Sequence, residues 1–267
     1  MLNWLVGALG ALIVAGAAYQ KQSLSGSGAI AAILMGTIYY GAGNLFWFGT
    51  LLLFFFTSTV LSKYRQSSKQ DLEKSYAKTG NRDAGQVFAN GGIGMVLCLL
   101  HFIYPHEAWK LLFVGVMATV TADTWATECG SLSRKPPRSI LNGKQLPAGT
   151  SGGVSWLGSM AAALGGVVIG AGAWLFSQWS GLESHFMTYV SAGLLGGLAG
   201  AFTDSWMGAT VQKMYQCSVC GKAVEVHQHC GEQTKRSGGW SWMTNDAVNL
   251  ISSMIGGLVA WLAAGLL

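Results

Sequence analysis

Charge is what this sequence has least of. Asp, Glu, Lys and Arg make up 10% of its 267 residues, against about a quarter in soluble domains. A free-standing soluble domain is therefore excluded, and no segment is long and polar enough to form one. Proline is scarce at 4 residues while glycine reaches 38, a balance suited to helices that pack closely in lipid. No Walker motif is present, which excludes a P-loop enzyme. No aromatic-basic binding module accompanies the positive charge, which excludes a nucleic-acid partner. The N-terminus, Met1-Leu2-Asn3-Trp4, lacks the basic region of a secretory signal. The apolar run after it is expected to be a membrane helix rather than a cleaved segment.

Long apolar runs are what the sequence does have. A spanning helix needs roughly 20 mainly apolar residues. Segments near 2–19, 27–43, 45–62, 87–104, 108–128, 153–176, 186–207 and 246–266 meet that requirement. The expectation is an all-α, polytopic transmembrane bundle of about eight spanning helices. It forms one domain over 1–267, with a cysteine- and histidine-rich loop at 213–240.

The connections test that reading. The odd loops carry Lys21; Lys63, Arg65, Lys69, Lys74, Lys78 and Arg82; Arg134, Lys135, Arg138 and Lys144; and Lys213, Lys222, Lys235 and Arg236. The even loops carry only Lys110. Basic loops stay in the cytoplasm, so the odd loops are expected inside and both termini outside, in a multi-pass plasma-membrane protein. Attraction to anionic lipid accounts for most of the charge in the third loop, at about 1 kcal/mol per basic residue near the surface.

Ionisable residues within spans are costly, about 2.5–3.5 kcal/mol at mid-membrane on insertion scales, and tend to mark function. Asp123, Glu128, Asp204 and Asp246 all fall at the expected inner ends of helices, with Asn90, Asn245 and Asn249 at the same level. Each carboxylate alone reads as a helix cap or bridge; together they read as hard oxygen ligands for Mg²⁺, whose remaining positions substrate phosphates complete. Asp123 and Glu128 are five residues apart and diverge by about 140° on an ideal helix. Either the helix unwinds there or the two serve different partners. The strings Ala122-Asp-Thr-Trp-Ala-Thr and Thr203-Asp-Ser-Trp-Met-Gly are alike. An internal same-direction repeat and chance both account for so short a likeness.

Phosphate-binding candidates surround the carboxylates. The stretch from Gly149 through Thr150, Ser151, Gly152 and Gly153 to Ser155 leads into a helix start, whose unpaired N–H groups favour anions. The alternative is an ordinary capped re-entry loop. Arg82 offers a planar fork for phosphate oxygens. Gln86 and Asn90, four apart, share a helix face. Lys21, Ser25, Ser205 and Gln212 lie at the same level, as does Lys63, for which snorkelling is the competing role. In the last basic loop, Cys217-x-x-Cys220 is followed by His227, His229 and Cys230. This is the donor set of a tetrahedral Cys₃His zinc site with His229 or His227 as fourth ligand. The rivals are a reduced, metal-free loop and a redox pair. Cys98 and Cys129 read as packing residues.

Taken together, Lys21-x-Ser-Leu-Ser25, Gly80-x-Arg82 through Gln86-Val-x-Ala-Asn90, Ala122-Asp-Thr-Trp-Ala-x-Glu128, Gly149-Thr-x-Gly-Gly-Val-Ser155, Asp204-Ser-x-x-Gly-Ala and Asn245-Asp-x-Val-Asn249 resemble the membrane family that includes plant phytyl-phosphate kinase. The resemblance covers nearly the whole chain. It implies conversion of an isoprenyl monophosphate (phytyl, farnesyl or geranylgeranyl phosphate) to its diphosphate, with CTP or another nucleoside triphosphate as donor and Mg²⁺ as cofactor. The cysteine-rich loop has no evident part in that activity. The phosphate nucleophile is already anionic near neutral pH, its second pKa being about 6. The reaction then needs positioning and charge neutralisation rather than a general base. On this reading Arg82, Asp123, Glu128, Asp204 and Asp246 are the catalytic or metal-binding group. The rivals are a lipid or small-molecule transporter or flippase, and a lipid nucleotidyl- or phospho-alcohol transferase. Oligomeric state stays open.

Overall fold

A computed structural model of the chain describes residues 1–67, 74–75, 80–182 and 185–266. Lys69 and Lys78 of the third loop lie outside the described residues. Among the described residues, eight α-helices follow the eight apolar runs. They are α1 (Leu2–Gln20), α2 (Gly26–Ile38), α3 (Leu45–Lys63), α4 (Ala84–Ile103), α5 (Glu107–Gly130), α6 (Trp156–Trp179), α7 (Phe186–Thr210) and α8 (Asn245–Ala264). Most start where a short polar side chain takes an orphan N–H of the first turn. Ser25, Asn44, Asp83, Ser155 and Thr244 all do so. Asp83 and Gln86 complete a reciprocal capping box. Between α2 and α3 the chain reverses in a π-helical turn over Tyr39–Gly43 that prolongs α2.

Six of the helices, all but α2 and α5, are long and apolar enough to cross a membrane by length and composition. The two others differ for physical reasons. The α-helical part of α2 is 13 residues, roughly 20 Å at 1.5 Å per residue. Helix α5 has no lipid-facing stripe: every residue from Phe113 to Ala122 is buried. It sits against α3, α4, α6, α7 and α8, so threonines and a lysine replace the greasy exterior of its neighbours. That lysine, Lys110, is the exception to the loop-charge pattern; it is buried and paired with Glu107 at 2.6 Å. The peripheral helices are inside out by soluble standards. Leu5, Leu9, Ile13, Leu34, Val60, Leu164, Leu195 and Leu258 point away from the protein, a surface that needs lipid around it.

Small residues set the core geometry. Gly115 on α5, Gly196 on α7 and Gly256 on α8 meet at one point. There the Thr119 hydroxyl donates to the carbonyls of Gly115 (2.9 Å) and Gly196 (3.1 Å). The half of the bundle away from the basic loops is plugged by Tyr39, Phe46, Trp47, Phe113 and Tyr189, whose rings pack against one another.

The purely helical expectation is amended in the loops. Between α5 and α6, β1 (Arg138–Ser139) pairs with β2 (Gly153–Val154). Between α7 and α8, β3 (Met214–Gln216) pairs with β4 (Ala223–Val224) and with β7 (Lys235–Gly238), and β5 (Gln228–His229) pairs with β6 (Glu232–Gln233). Strands this short have no periodicity to read, since their pairing is fixed by turns.

Candidate functional site

The ends of α3, α5 and α7 and the starts of α4, α6 and α8 line a single cleft of about 570 Å³. Its floor follows from the glycine contact. One turn beyond Thr119 on α5 is Asp123, and one turn beyond Gly200 on α7 is Asp204; residues four apart share a helix face. Both Asp123 and Asp204 line the cleft. Gly200 lies against Thr119, so the two carboxylates rise side by side from the tightest point of the bundle. Ser252 of α8 donates to Asp204 Oδ2 at 3.2 Å. Asp123, Asp204 and Glu225 act on one another as like charges.

Helix α5 is unbroken from Glu107 to Gly130, which answers the question of Asp123 and Glu128. Both line the cleft, but they serve different partners. Asp123 faces the acidic floor, while the charge of Glu128 acts on Arg82.

Arg82 is built into the wall. Its backbone pairs with the Ser23–Ser25 turn, through Arg82 N–H to Ser23 O (3.1 Å) and Ser25 N–H to Arg82 O (3.0 Å). Its guanidinium donates to Thr59 Oγ1 at 3.1 Å and lies over the Phe54 and Phe55 rings. Burial lowers its pKa to about 10, with Glu128 opposing, so it stays charged at neutral pH. Asn249 donates to Asn90 across α8 and α4 at 3.4 Å.

The opposite wall is the glycine-rich stretch. Gly152 has φ +79°, a left-handed conformation that L side chains rarely adopt, and a Cβ there would collide with Ala209 of α7. The loop is thus seated on the end of α7, where Ser151 contacts Gln212 Oε1 at 3.5 Å. Gln212 is 4% exposed, and its Nε2 has no hydrogen-bond partner among the described residues. Gln212 is also among the residues that line the cleft. Ser155 accepts the Gly158 N–H at 3.1 Å, the capping role weighed for it above.

Of the residues expected from sequence, Arg82, Gln86, Asn90, Asp123, Glu128, Gly149, Thr150, Gly152, Gly153, Ser155, Asp204, Ser205, Gln212, Asn245 and Asn249 come together in the cleft. Lys21, Ser25, Lys63 and Asp246 are not among its lining residues. Lys63 donates to the Lys21 carbonyl at 2.7 Å, tying α3 to the α1–α2 turn. Ser25 caps α2. Asp246 sits in the first turn of α8, where a carboxylate complements the helix dipole. Arg134, Lys135 and Glu225 also line the cleft, and sequence reasoning missed them as site residues. The first two looked like ordinary inner-loop charge, and Glu225 arrives through strand pairing that carries no motif. The result is an acidic floor with basic groups around it.

A second, almost wholly apolar groove runs between α1, α2, α3 and α4, past Ala15, Ala32, Met35, Leu52 and Val87. Its lining also includes Arg82, Gln86 and Asn90, which line the polar cleft as well. In the α7–α8 loop, the sulfurs of Cys217, Cys220 and Cys230 and one ring nitrogen of His229 lie within 4.8 Å of one another. His227 is engaged elsewhere, with Tyr215 Oη at 3.2 Å.

Residues 9–257 match the family model described as integral membrane protein DUF92. The chain is 32% identical to Protein PGR of Arabidopsis thaliana over 263 residues, covering 91% of this chain and 90% of that one. It is 30% identical to an uncharacterized membrane protein of Methanocaldococcus jannaschii, covering 90% and 85%. It is 26% identical to Protein VTE6, chloroplastic, of Arabidopsis thaliana, covering 93% and 68%. No solved structure matches the chain.

Proposed function

The chain belongs to the integral membrane DUF92 family, and from that premise we propose that it transfers a phosphoryl group from a nucleoside triphosphate, CTP or another, to a membrane-embedded isoprenyl monophosphate. One observation carries this reading: the apolar groove and the charged cleft share Arg82, Gln86 and Asn90. An isoprenyl chain would lie in the groove among α1 to α4. Its phosphate would then meet Arg82 at the mouth of a cleft large enough for a nucleotide. The resemblance to the phytyl-phosphate kinase family supports the same substrate class.

The bundle would cross the membrane eight times. Helix α2 with its π turn would make the second crossing, and α5 would be shielded from lipid by its neighbours. The cleft would face the cytoplasm, where the basic loops belong, with both termini outside in a plasma membrane. The donor set fits Mg²⁺, since several hard carboxylate oxygens converge where like charges otherwise oppose one another. Bound there by Asp123, Asp204 and a neighbouring carboxylate, Mg²⁺ would neutralise the charge of the phosphates. Arg82 would hold the lipid phosphate, aligned with the γ-phosphorus. Gln212 and the Gly149–Ser155 loop, which line the cleft, would hold the donor's phosphates in place. An oxygen of the lipid phosphate forms the new P–O bond, the bond to the β–γ bridging oxygen breaks, and the nucleoside diphosphate leaves. The aromatic plug in the other half of the bundle argues against a through-path for a transporter.

The test uses the full chain in detergent with short isoprenyl phosphates, Mg²⁺ and nucleotide labelled at the γ-phosphate. Label in an isoprenyl diphosphate supports the kinase. Release of pyrophosphate or transfer of a nucleoside monophosphate identifies the transferase rival. No transfer at all, with Asp204→Ala indistinguishable from the parent, sinks the enzymatic reading.

Two substitutions probe the junction. Arg82→Lys keeps the charge but not the fork. It is expected to raise KM for the isoprenyl phosphate about tenfold, roughly one charge-assisted hydrogen bond, with KM for nucleotide nearly unchanged. Ala32→Phe narrows the groove away from the cleft. It is expected to raise KM for long isoprenyl phosphates several-fold and to spare short ones. Equal effects on both lengths would place the chain elsewhere.

A further inference from the structure

The α7–α8 loop holds a constellation that phosphoryl transfer does not use. Cys217 follows β3, and two backbone hydrogen bonds, Gly221 N–H to Cys217 O and Cys217 N–H to Lys222 O, both 3.0 Å, close a tight turn around it. That turn brings Cys220 back towards Cys217. A second turn joins β5 to β6, where Cys230 at φ +54° and Gly231 at φ +81° reverse the chain. Its His229 and Cys230 face the first turn. The His229 Nδ1 lies 3.5 Å from Cys220 Sγ and 3.2 Å from Cys230 Sγ. A tetrahedral zinc ion takes sulfur at about 2.3 Å and imidazole nitrogen at about 2.0–2.1 Å, which sets neighbouring donors roughly 3.5–3.8 Å apart. The His229 nitrogen already stands near that spacing from two of the sulfurs, and all four donors lie within 4.8 Å of one another.

We propose that Cys217, Cys220, His229 and Cys230 hold one structural zinc ion. Four protein ligands leave no open position, so the ion would be structural rather than catalytic. The need for it is physical. Most strands of this loop are two residues long, and its buried apolar side chains are few, chiefly Tyr215 and Val224. A segment with so small a core is held by a metal or a covalent staple. A thiol pair alone would need no imidazole, yet the His229 ring nitrogen sits among the sulfurs. Between Cys220 and His229 the chain carries Glu225 to the cleft, so the ion would fix the loop that delivers this carboxylate.

The experiment is metal analysis of the reduced full chain in detergent. About one zinc per chain is expected, lost in the Cys217→Ser/Cys220→Ser double variant and kept in Cys129→Ser. His229→Cys supplies a fourth thiolate and is expected to keep the metal. Should the double variant fail to fold, the parent chain is stripped with chelator and titrated with Co²⁺. The absorption bands of tetrahedral thiolate cobalt are then the expected result. Protease cleavage within 213–240 is expected to quicken after chelation and to slow again when zinc is restored. Overturning results are a chain that binds neither zinc nor cobalt, zinc content indifferent to the cysteine substitutions, or a disulfide between two of the three cysteines in the active protein.

Discussion

Asp204→Asn is expected to lower phosphoryl transfer on the order of a hundredfold or more, the usual cost of losing one pre-set electrostatic group, while leaving the melting temperature unchanged or raised. The two halves of this prediction share one cause. Asp204 stands beside Asp123 on the cleft floor, where burial first, and then the neighbouring Asp123 and Glu225 carboxylates, disfavour a negative charge. Removing one negative charge relieves that penalty, and the asparagine oxygen can still accept from Ser252. What is lost is a hard ligand for the cation that would bridge the phosphates. Strain held at a functional site and released by a substitution that abolishes function is a recurring trade. The check is an initial-rate measurement alongside thermal melting in the same detergent, with and without Mg²⁺. Mg²⁺ is expected to stabilise the parent more than the variant, because binding to the folded state alone raises stability. A variant that keeps activity within about twofold of the parent, far below the expected loss, would remove Asp204 from the mechanism.

Gly256→Val is expected to damage the fold severely. A Cβ at position 256 would collide with Thr119 Oγ1 and stand 2.6 Å from the Gly196 carbonyl oxygen. Neither neighbour has room to retreat, since Thr119 is bonded to the carbonyls of Gly115 and Gly196. Overpacking of a tight core typically costs about 1–3 kcal/mol and sometimes more. Here three helices would have to separate just below the carboxylates. The expected outcome is loss of the monodisperse species on size exclusion, or a melting temperature lowered by many degrees. Gly16→Ala is the matched control. Nothing lies within 4 Å of a Cβ at that position, so the change is expected to be neutral or slightly stabilising through helix propensity. Equal behaviour of the two variants would mean that the glycine contact does not organise the bundle.

Much of the architecture was legible because hydropathy is a local property. The eight apolar runs became eight helices with ends displaced by only a few residues, and polar caps such as Ser25, Asn44 and Thr244 sit at the starts. The level of the polar residues was equally readable, because a residue at a helix end stays at that end however the helices are arranged. Lys21, Lys63 and Asp246 mark the limit of that logic. They lie at the same level as the cleft residues but are not among its lining. Level along the membrane normal is carried by the sequence, whereas direction around a helix axis and position within the bundle depend on packing.

Determined by the sequence alone, then, are the helices, the shared level of Asp123, Glu128, Asp204 and the asparagines, and the Cys-x-x-Cys spacing of the last loop. All of these follow from local composition and short spacings along one chain. Only the tertiary structure decided that Asp123 and Glu128 divide their attention between the floor and Arg82, that Glu225 joins the cleft, that the buried Gln212 Nε2 is left without a partner among the described residues, and that the apolar groove and the cleft share Arg82. Each of those is a meeting of residues far apart in sequence. Such meetings are set by which glycines let which helices touch, and that is a property of the packed bundle.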